Sequence, residues 1–351
     1  MKAVLFSGNG KLALADVPKP ELRDRLVPKK YREEPLALAA EEQVLLKVEA
    51  ASICGSDLHI LEGGHPSAPP VVLGHEYVGR AVEVGGAVTH VREGDRVVVD
   101  PNIKCGVCAF CRGGRPNLCR DFTTLGIFLD GGLAEYNLAP GKQLCVVSES
   151  VPLERAMFYE PLSCVVHAMN RVRPAVGERA LIFGGGPIGC LFALVCRLAG
   201  VDQIVVVEPS AYRRSCAQTA GATAVLEPGQ EQDCAAAHVS DGFELVIDAA
   251  GPLSVVPAAM AVAASGARIL LFGQQTQGAR VEIEPQLANE KELTILGSYA
   301  AGNVMCETVR LLEHPSLEVE KLISHRLPLE RALEGFRLMA EGQSLKVMVC
   351  P

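Results

Sequence analysis

The sequence lacks an apolar run that is long and uniform enough to cross a membrane. A spanning helix needs about 20 consecutive, mostly apolar residues. The most apolar stretch, residues 180–207, is interrupted by glycines and charged residues, namely Gly184, Gly185, Gly186, Gly189, Arg197 and Asp202. We therefore expect no membrane-spanning segment and no membrane partner.

A concentration of positive charge is missing as well. The 33 lysines and arginines are outnumbered by 41 aspartates and glutamates, the net charge is −8, and the basic residues are scattered along the chain. Proteins that bind nucleic acids carry clustered basic residues that contact phosphates. The sequence thus argues against a nucleic-acid partner.

The N-terminus shows no charged and then apolar leader with a cleavage site, and the chain has no internal repeat or low-complexity segment. Its 13 cysteines are an odd number, and several stand singly in apolar stretches, among them Cys190, Cys196 and Cys216. Disulfide frameworks are typical of secreted proteins, whereas this usage is typical of a reducing compartment. We expect a cytoplasmic protein.

With 351 residues, 49% of them hydrophobic, the chain is expected to form about two domains with large cores. Up to about Val151, short β-like runs alternate with glycine and proline, which predicts an all-β half. From about Arg179, strands alternate with helices, which predicts a parallel, doubly wound sheet and an α/β fold. The tail from about Ala300 contains an amphipathic helix and a last strand, and we expect it to pack on the first half.

Residues 21–42 are charged, interrupted by proline and longer than the flanking strands need for a turn. The interpretation we favour from sequence is a solvated surface excursion. The alternative is a subunit contact or a flap over a cleft.

Four cysteines lie within fifteen residues in a C-x2-C-x2-C-x7-C array: Cys105, Cys108, Cys111 and Cys119. Thiolates at this spacing can surround one tetrahedral Zn²⁺ and leave no open position. The array therefore predicts a structural zinc site.

A second, looser set of metal-ligating residues consists of Cys54, His75, Glu76 and Glu160. Removal of hydride from an alcohol requires an ionised or nearly ionised hydroxyl, and Zn²⁺ with an open position lowers the pKa of bound water to about 7. Adjacent strand residues face opposite ways, so joint ligation by His75 and Glu76 needs a turn or twist at Gly74. Glu160 is either a fourth ligand or the residue that holds a metal-bound water.

A glycine-rich loop follows both sets. Gly184, Gly186 and Gly189 satisfy G-x-G-x-x-G, with Pro187 and Ile188 between the last two, after an apolar strand and before an apolar helix. In this context the glycines let backbone N–H groups and the helix N-terminus approach a pyrophosphate. The motif predicts a dinucleotide site, and the alternative is an ordinary turn in an α/β core.

Glu208 closes the next strand and indicates which dinucleotide is bound. A carboxylate there accepts the adenosine ribose hydroxyls and repels a 2′-phosphate, which favours NAD over NADP. Arg213 and Arg214 follow nearby, and either can serve a phosphate or stack on adenine.

Taken together, CGSDLH at 54–59, GHE at 74–76, the cysteine array, GGGPIG with Glu208 and the tail ISHRLPLERA resemble the zinc-dependent medium-chain dehydrogenases. Within them the chain is most similar to the sorbitol (polyol), 2,3-butanediol and threonine dehydrogenase branch, and the resemblance covers nearly everything except residues 21–42. It implies a GroES-like catalytic domain over 1–157 with a zinc lobe at 100–120, a Rossmann NAD-binding domain over 158–298, and a C-terminal segment, 299–351, that completes the catalytic domain.

The resemblance also implies roles for single residues. Cys54, His75 and Glu76 would ligate the catalytic zinc, and Glu160 would replace the cysteine ligand of ordinary alcohol dehydrogenases. Asp57 would accept a hydrogen bond from His75. Ser56 and His59 would form a proton relay, and Lys346 would lie near the pyrophosphate. For His59 the alternative is an ordinary surface histidine, and for Lys346 it is a solvated strand end.

Two positions depart from the polyol enzymes. Those enzymes carry an arginine before Tyr299 and an aromatic residue after His59, whereas this chain has Ser298 and Ile60. Both changes are expected to make the substrate pocket smaller or more apolar.

The leading hypothesis is a cytoplasmic homodimer or homotetramer with two zinc ions and NAD per chain. It would oxidise a secondary alcohol of a polyol, sugar alcohol, cyclitol or vicinal diol to a ketone. The alternatives are oxidation of threonine or another amino alcohol and, more remotely, an inactive nucleotide-binding protein.

Overall fold

A computed structural model describes residues 1–238, 242–275 and 278–351. The chain divides into two compact units: unit 1 comprises Met1–Ser163 and Ala301–Pro351, and unit 2 comprises Cys164–Ala300. In the described ranges, no helix combines the length and apolar character that crossing a bilayer requires.

The strands in chain order are β1 Lys2–Phe6, β2 Leu12–Asp16, β3 Arg25–Val27, β4 Leu36–Leu38, β5 Gln43–Ile53, β6 Val71–Val72, β7 Glu76–Val84, β8 Arg96–Val99, β9 Asn102–Ile103, β10 Thr123–Thr124, β11 Tyr136–Pro140, β12 Leu144–Val146, β13 Arg179–Phe183, β14 Gln203–Val207, β15 Ala224–Leu226, β16 Phe243–Asp248, β17 Ala263–Leu271, β18 Thr294–Gly297, β19 Ile323–Pro328 and β20 Lys346–Cys350. The α-helices are α1 Gly55–Leu61, α2 Ala109–Arg112, α3 Leu153–Ala156, α4 Tyr159–Val172, α5 Pro187–Leu198, α6 Ala211–Thr219, α7 Glu231–His238, α8 Val255–Val262, α9 Pro285–Glu290, α10 Met305–Leu312 and α11 Ala332–Ala340.

Unit 1 is built around a mixed sheet in the order β12-β8-β7-β5-β20-β19, with β11 also paired to β5. The strand from the C-terminal tail, β20, lies between β5 and β19, antiparallel to the first and parallel to the second. The inward side chains of these strands form a large apolar core to which α11 contributes Phe336. The last strand of the tail is thus part of the sheet formed by the first half.

Unit 2 contains a six-stranded parallel sheet in the order β15-β14-β13-β16-β17-β18. Its central strands are almost continuously apolar, because helices cover both faces of such sheets. Phe183, Val207 and Val246 are among its core residues. The crossover from β13 through α5 to β14 is the βαβ unit that the glycine motif predicted, and the mixed fold class is confirmed.

Residues 21–42 are largely exposed, as the interpretation favoured from sequence expects. Their strands β3 and β4 form an antiparallel hairpin in which Arg25 pairs with Leu38 and Val27 with Leu36. Val27 and Leu38 are 4% and 3% exposed and belong to the core of unit 1. The hairpin and its two buried anchors were not predicted from the sequence, because the composition of the segment is otherwise polar.

Candidate active site and metal centres

Cys54, His75 and Glu76 converge in unit 1. One ligand atom of each lies within 4.8 Å of the others. Cys54 lies at this site because it is the N-terminal capping residue of α1, directly after β5. His75 precedes β7, and the left-handed conformation of Gly74, with φ of +94°, turns the chain before that strand. The turn that joint ligation requires is thus present, and it lets the neighbouring His75 and Glu76 reach the same site.

The carboxylate of Asp57 holds two of these residues. Its Oδ2 accepts a hydrogen bond of 2.9 Å from the backbone N–H of Cys54. Its Oδ1 lies 3.4 Å from Nδ1 of His75, which is long for a hydrogen bond, yet both atoms are buried and neither has another partner among the described residues. Each of these two atoms therefore has the other as its only neighbour suited to hydrogen bonding in that part of the chain. Because Nδ1 faces Asp57, the imidazole presents Nε2 on its other side, where the hydroxyl of Ser56 lies at 3.2 Å.

The charge around His75 suits a metal ligand. Burial lowers the pKa of His75, but the negative charges of Asp57 and Cys54 outweigh burial and raise the pKa well above its ordinary value. A surplus of negative groups around a buried imidazole is an environment that favours a cation. One thiolate, one imidazole and one carboxylate form a donor set that Zn²⁺ accepts in catalytic sites.

Glu76 carries two further contacts on a single oxygen. Its Oε2 accepts hydrogen bonds from the hydroxyl of Ser52 and from the ammonium of Lys346. Strand register produces this cluster, because Ser52 pairs directly with Glu76 across β5 and β7, while β20 runs along the other side of β5. Burial raises the pKa of Glu76, and the charge of Lys346 reverses the effect and lowers it. The carboxylate is therefore kept ionised, and the two contacts leave Oε1 for a metal ion.

The position of Lys346 differs from one of the two sequence-based expectations. It is 3% exposed, so it is not a solvated strand end. Its ammonium forms an ion pair with the carboxylate of Glu76, and the expected role near a pyrophosphate stays a prediction. Burial lowers its pKa, and Glu76 and Cys54 more than compensate, with Glu160 contributing in the same direction. Lys346 is thus part of the charge balance around the metal-ligating residues, and no local pattern in the sequence indicated its contact with Glu76.

The remaining candidates of this set lie at different depths. Glu160 is half-buried in the first turn of α4. Ser56 is half-buried, and His59 is exposed, with Nδ1 3.7 Å from the carboxylate of Glu62. A half-buried hydroxyl and an exposed imidazole on the same helix are compatible with groups that move a proton outward.

Ile60 does not bear on the substrate pocket in the expected way. It is 2% exposed and packs in the core of unit 1, because α1 turns this residue away from solvent. The prediction that Ile60 makes the pocket more apolar is therefore wrong. The hydroxyl of Ser298 in unit 2 is buried and has no hydrogen-bond partner within the part of the chain that the structure describes.

The four cysteines of the array have the geometry of a closed tetrahedral site. Their ligand atoms lie within 4.8 Å of one another, and three of the sulfur separations are 3.5, 4.0 and 4.0 Å. A tetrahedron with Zn–S bonds of about 2.3 Å has edges of about 3.8 Å. Backbone N–H groups of Cys105 and Asp121 donate to the sulfur of Cys119, and that of Cys108 donates to Cys105. Backbone hydrogen bonding also lowers the pKa of Cys108 to about 6. The residues fit zinc.

The glycine motif joins β13 to α5 as the sequence predicted. Gly184 has a φ of +102°, and a Cβ on Gly189 would lie 1.8 Å from the carbonyl oxygen of Gly184. Only glycine permits this approach of helix to strand. Gly186 is the residue that precedes α5, whose first positions are Pro187 and Ile188. No heavy atom lies within 4 Å of a Cβ built on Gly186, which leaves the helix N-terminus open.

Glu208 lies against this loop. Its carboxylate accepts hydrogen bonds from the backbone N–H groups of Gly185 at 2.8 Å and Ser210 at 2.9 Å. Arg214 is held away from the loop by the carbonyls of Glu208 and Pro209 and by Glu227. Arg213 is half-buried in the first turn of α6, so of the two arginines it is the one that these contacts leave available for a cofactor.

The chain matches two protein families over most of its length. Residues 40–149 match the alcohol dehydrogenase GroES-like domain, and residues 187–314 match the zinc-binding dehydrogenase domain. D-altritol 5-dehydrogenase of Agrobacterium fabrum (strain C58 / ATCC 33970) is 32% identical over 341 residues, which cover 96% of this chain and 95% of the relative.

Two further relatives bear on substrate and cofactor. L-threonine 3-dehydrogenase of Xanthomonas euvesicatoria pv. vesicatoria (strain 85-10) is 32% identical over 324 residues, covering 90% of this chain and 94% of the relative. The crystal structure of a zinc-binding dehydrogenase from Sinorhizobium meliloti 1021, solved with NADP bound, is 35% identical and superposes with a TM-score of 0.90 over 100% of this chain and 99% of that one.

Proposed function

The chain belongs to the zinc-binding alcohol dehydrogenases with a GroES-like domain, and from this membership we propose that it oxidises a secondary alcohol of a polyol, sugar alcohol, cyclitol or vicinal diol to a ketone. The reaction is reversible and uses NAD. The observation that carries the proposal is the convergence of Cys54, His75 and Glu76 in a chain whose relative is an altritol dehydrogenase.

In this proposal Cys54, His75 and Glu76 hold the catalytic zinc, and Glu160 is a further ligand or holds a water beside it. When bound, zinc makes a substrate hydroxyl more acidic, and the nicotinamide accepts hydride. Asp57 keeps Cys54 and His75 in position through its two oxygens. Lys346 and Ser52 fix the carboxylate of Glu76 from the side of Oε2. Cys105, Cys108, Cys111 and Cys119 hold a second, structural zinc.

Ser56 and His59 move the proton. The hydroxyl of Ser56 lies beside Nε2 of His75, so it can accept the proton of a substrate hydroxyl held in the same place. With NAD bound, the cofactor ribose would connect Ser56 to His59 in this relay. His59 is exposed and can exchange that proton with water.

NAD is the proposed cofactor because of the way Glu208 is held. Two backbone N–H groups fix its carboxylate next to the glycine loop, where it can accept ribose hydroxyls and would repel a 2′-phosphate. Gly184, Gly186 and Gly189 would admit the pyrophosphate, and Arg213 would serve the adenosine end. The Sinorhizobium relative was solved with NADP, so the preference has to be measured for this chain.

Threonine oxidation is a second candidate, favoured by the Xanthomonas relative at 32% identity. A panel of C4 to C7 polyols, inositols, butanediols and threonine, assayed by formation of NADH, distinguishes the two. Turnover of polyols at a kcat/KM at least tenfold above that for threonine supports the first candidate, and the reverse order supports the second.

Metal content and activity test the mechanism on the same protein. Cys54→Ser is expected to reduce bound zinc from about two per chain to about one and to abolish alcohol oxidation, while NADH still binds. Cys306→Ser, which alters an exposed cysteine, is the matched control and should keep both zinc ions and full activity. Normal turnover by Cys54→Ser, or by enzyme stripped of all metal, would rule the proposal out.

We also propose a cytoplasmic homodimer or homotetramer. The six-stranded sheet of unit 2 ends at β18, whose outer edge can pair with another chain, as exposed edges do in many proteins. Light scattering coupled to size-exclusion chromatography tests the assembly, and a monomer at micromolar concentration would contradict it.

A further inference from the structure

The segment of residues 21–42, here called the strap, is firmly anchored in unit 1. Val27 and Leu38 are buried in the core, and the guanidinium of Arg25 donates a 3.0 Å hydrogen bond to the carbonyl of Leu138 in β11. At the end of the strap, the backbone N–H of Ala40 donates to the carboxylate of Asp24. The loop between β3 and β4 is therefore presented by a folded hairpin.

This loop contacts Asp121 and Phe122, which follow the last cysteine of the four-cysteine lobe. The ammonium of Lys29 lies 2.9 Å from Oδ1 of Asp121, and the guanidinium of Arg32 lies 3.3 Å from the same oxygen. The backbone N–H of Lys30 donates to the carbonyl of Phe122 at 2.8 Å. The ring of Tyr31 contacts that of Phe122 in a tilted arrangement, with centroids 6.5 Å apart and an interplanar angle of 43°.

Asp121 connects the strap to the metal-ligating sulfurs. Its side chain binds Lys29 and Arg32, while its backbone N–H donates to Sγ of Cys119 at 3.3 Å. Because the side chain and the N–H belong to one residue, holding the side chain of Asp121 also helps to orient its N–H toward Cys119. We propose that the strap is a positioning element of the structural zinc site, acting through Lys29, Arg32 and Asp121 on Cys119.

Two physical arguments support this role. The chain enters and leaves the lobe through the short pair β9 and β10, in which two residues of each strand face one another. The Lys29 and Asp121 side chains are 9% and 17% exposed, so their ion pair is screened less than a surface pair. Four thiolates around one Zn²⁺ carry a net charge of about −2, which the cations of the strap also offset.

Residues that hydrogen-bond to metal ligands typically change metal affinity by about 10–100-fold when they are altered. The inference rests on the proposed structural zinc and can be tested without measuring catalysis. In a Cys54→Ser parent, the remaining zinc belongs to the cysteine lobe. The rate at which this zinc passes to an excess of a colorimetric chelator reports how firmly the lobe holds it.

Adding Lys29→Met and Arg32→Met to this parent should accelerate zinc loss about tenfold or more. Asp121→Asn should do the same alone and should add little to the double change, because all three act through one contact. Lys321→Met, which removes a lysine from an exposed ion pair with Glu318, is the matched control and should leave the rate unchanged. Circular dichroism verifies that every variant is folded.

A rate within twofold of the parent after loss of Lys29 and Arg32 would overturn the inference, as would full additivity with Asp121→Asn. A parent that carries no zinc to release would also overturn it. That outcome would not affect the proposed alcohol oxidation, which is tested separately by turnover and by the effect of Cys54→Ser on the unmodified enzyme.

Discussion

Asp57 shows how much of a metal site depends on a residue that does not bind the metal. One carboxylate oxygen orients the backbone of Cys54 and the other faces His75. This arrangement selects the imidazole tautomer with a proton on Nδ1 and leaves Nε2 as the donor to a metal. The chemistry of the site therefore depends on the position of a group that is completely buried.

Asp57→Asn should weaken zinc binding at this site by about 10–100-fold and reduce kcat/KM in proportion. If the asparagine oxygen still accepts from Cys54, its amide group faces Nδ1 and favours the wrong tautomer. Zinc analysis should show loss of the catalytic ion and retention of the one in the cysteine lobe. The exposed Asp16→Asn is the control. Wild-type zinc content and activity in Asp57→Asn would contradict this account.

Glu208 is the residue that sets the cofactor preference. Glu208→Ser removes the negative charge that repels a 2′-phosphate, and it also removes the acceptor for the N–H groups of Gly185 and Ser210. The ratio of kcat/KM for NADP to that for NAD should rise at least about tenfold, equivalent to about 1.4 kcal/mol, while overall affinity for both cofactors falls. Steady-state kinetics with each cofactor measures the ratio. An unchanged preference would mean that Glu208 does not face the ribose.

At the scale of elements, the junction of β13 and α5 has two glycines with different tasks. A Cβ on Gly189 would collide with the carbonyl of Gly184, whereas a Cβ on Gly186 would meet open space. Gly189 thus serves the packing of helix on strand. Gly186 serves the approach of a ligand to the helix N-terminus.

Gly189→Ala should therefore destabilise unit 2 by about 3 kcal/mol through overpacking and also weaken NADH binding. Gly186→Ala should leave the unfolding midpoint unchanged and weaken NADH binding alone. Thermal unfolding combined with NADH fluorescence titration separates the two effects. Equal stability losses in both variants would show that the two positions do not differ in this way.

The strap shows that the composition of a segment does not predict which of its residues pack against the rest of the protein. Its charged residues and prolines predict a solvated segment, and most of its side chains do face water. Val27 and Leu38 nevertheless anchor it in the core, and Lys29 and Arg32 meet Asp121 on the cysteine lobe. None of these contacts is local, so no spacing rule within residues 21–42 predicts them.

At the scale of the whole molecule, unit 1 is assembled from two distant stretches of chain. Arg155 of α3 forms a two-pronged ion pair with Glu320, with separations of 3.1 and 2.7 Å. Burial raises the pKa of Glu320, and the hydrogen bonds from Arg155 more than reverse this, so the net shift is downward. A carboxyl group with a lowered pKa stabilises the fold above its unfolded pKa, and the stabilisation is lost as the pH falls through the folded value.

Glu320→Gln should therefore lower stability by about 1 kcal/mol at pH 7, and the difference from wild type should shrink below about pH 4. Thermal unfolding midpoints from pH 7 down to pH 3.5 measure this. Glu318→Gln, in the exposed pair with Lys321, serves as the control and should have little effect at any pH. A difference that stayed constant across this range would show that the ion pair does not cause it.

The sequence alone determined the features whose parts are close together along the chain. The four-cysteine array, the glycine loop with Glu208 and the run of parallel strands follow from short spacings, because one turn or one helix brings such residues into contact. These patterns were sufficient to identify the family and to predict zinc ions and a dinucleotide.

Only the tertiary structure decided where the distant residues go. Lys346 reaches Glu76 across 270 positions because β20 inserts beside β5, and Ser52 joins them through the register of β5 with β7. The burial of Ile60 and the contact of the strap with the cysteine lobe are also set by tertiary packing. Strand order and register are set by the packing of the entire core, and that packing is the sum of many weak contacts that no local pattern records.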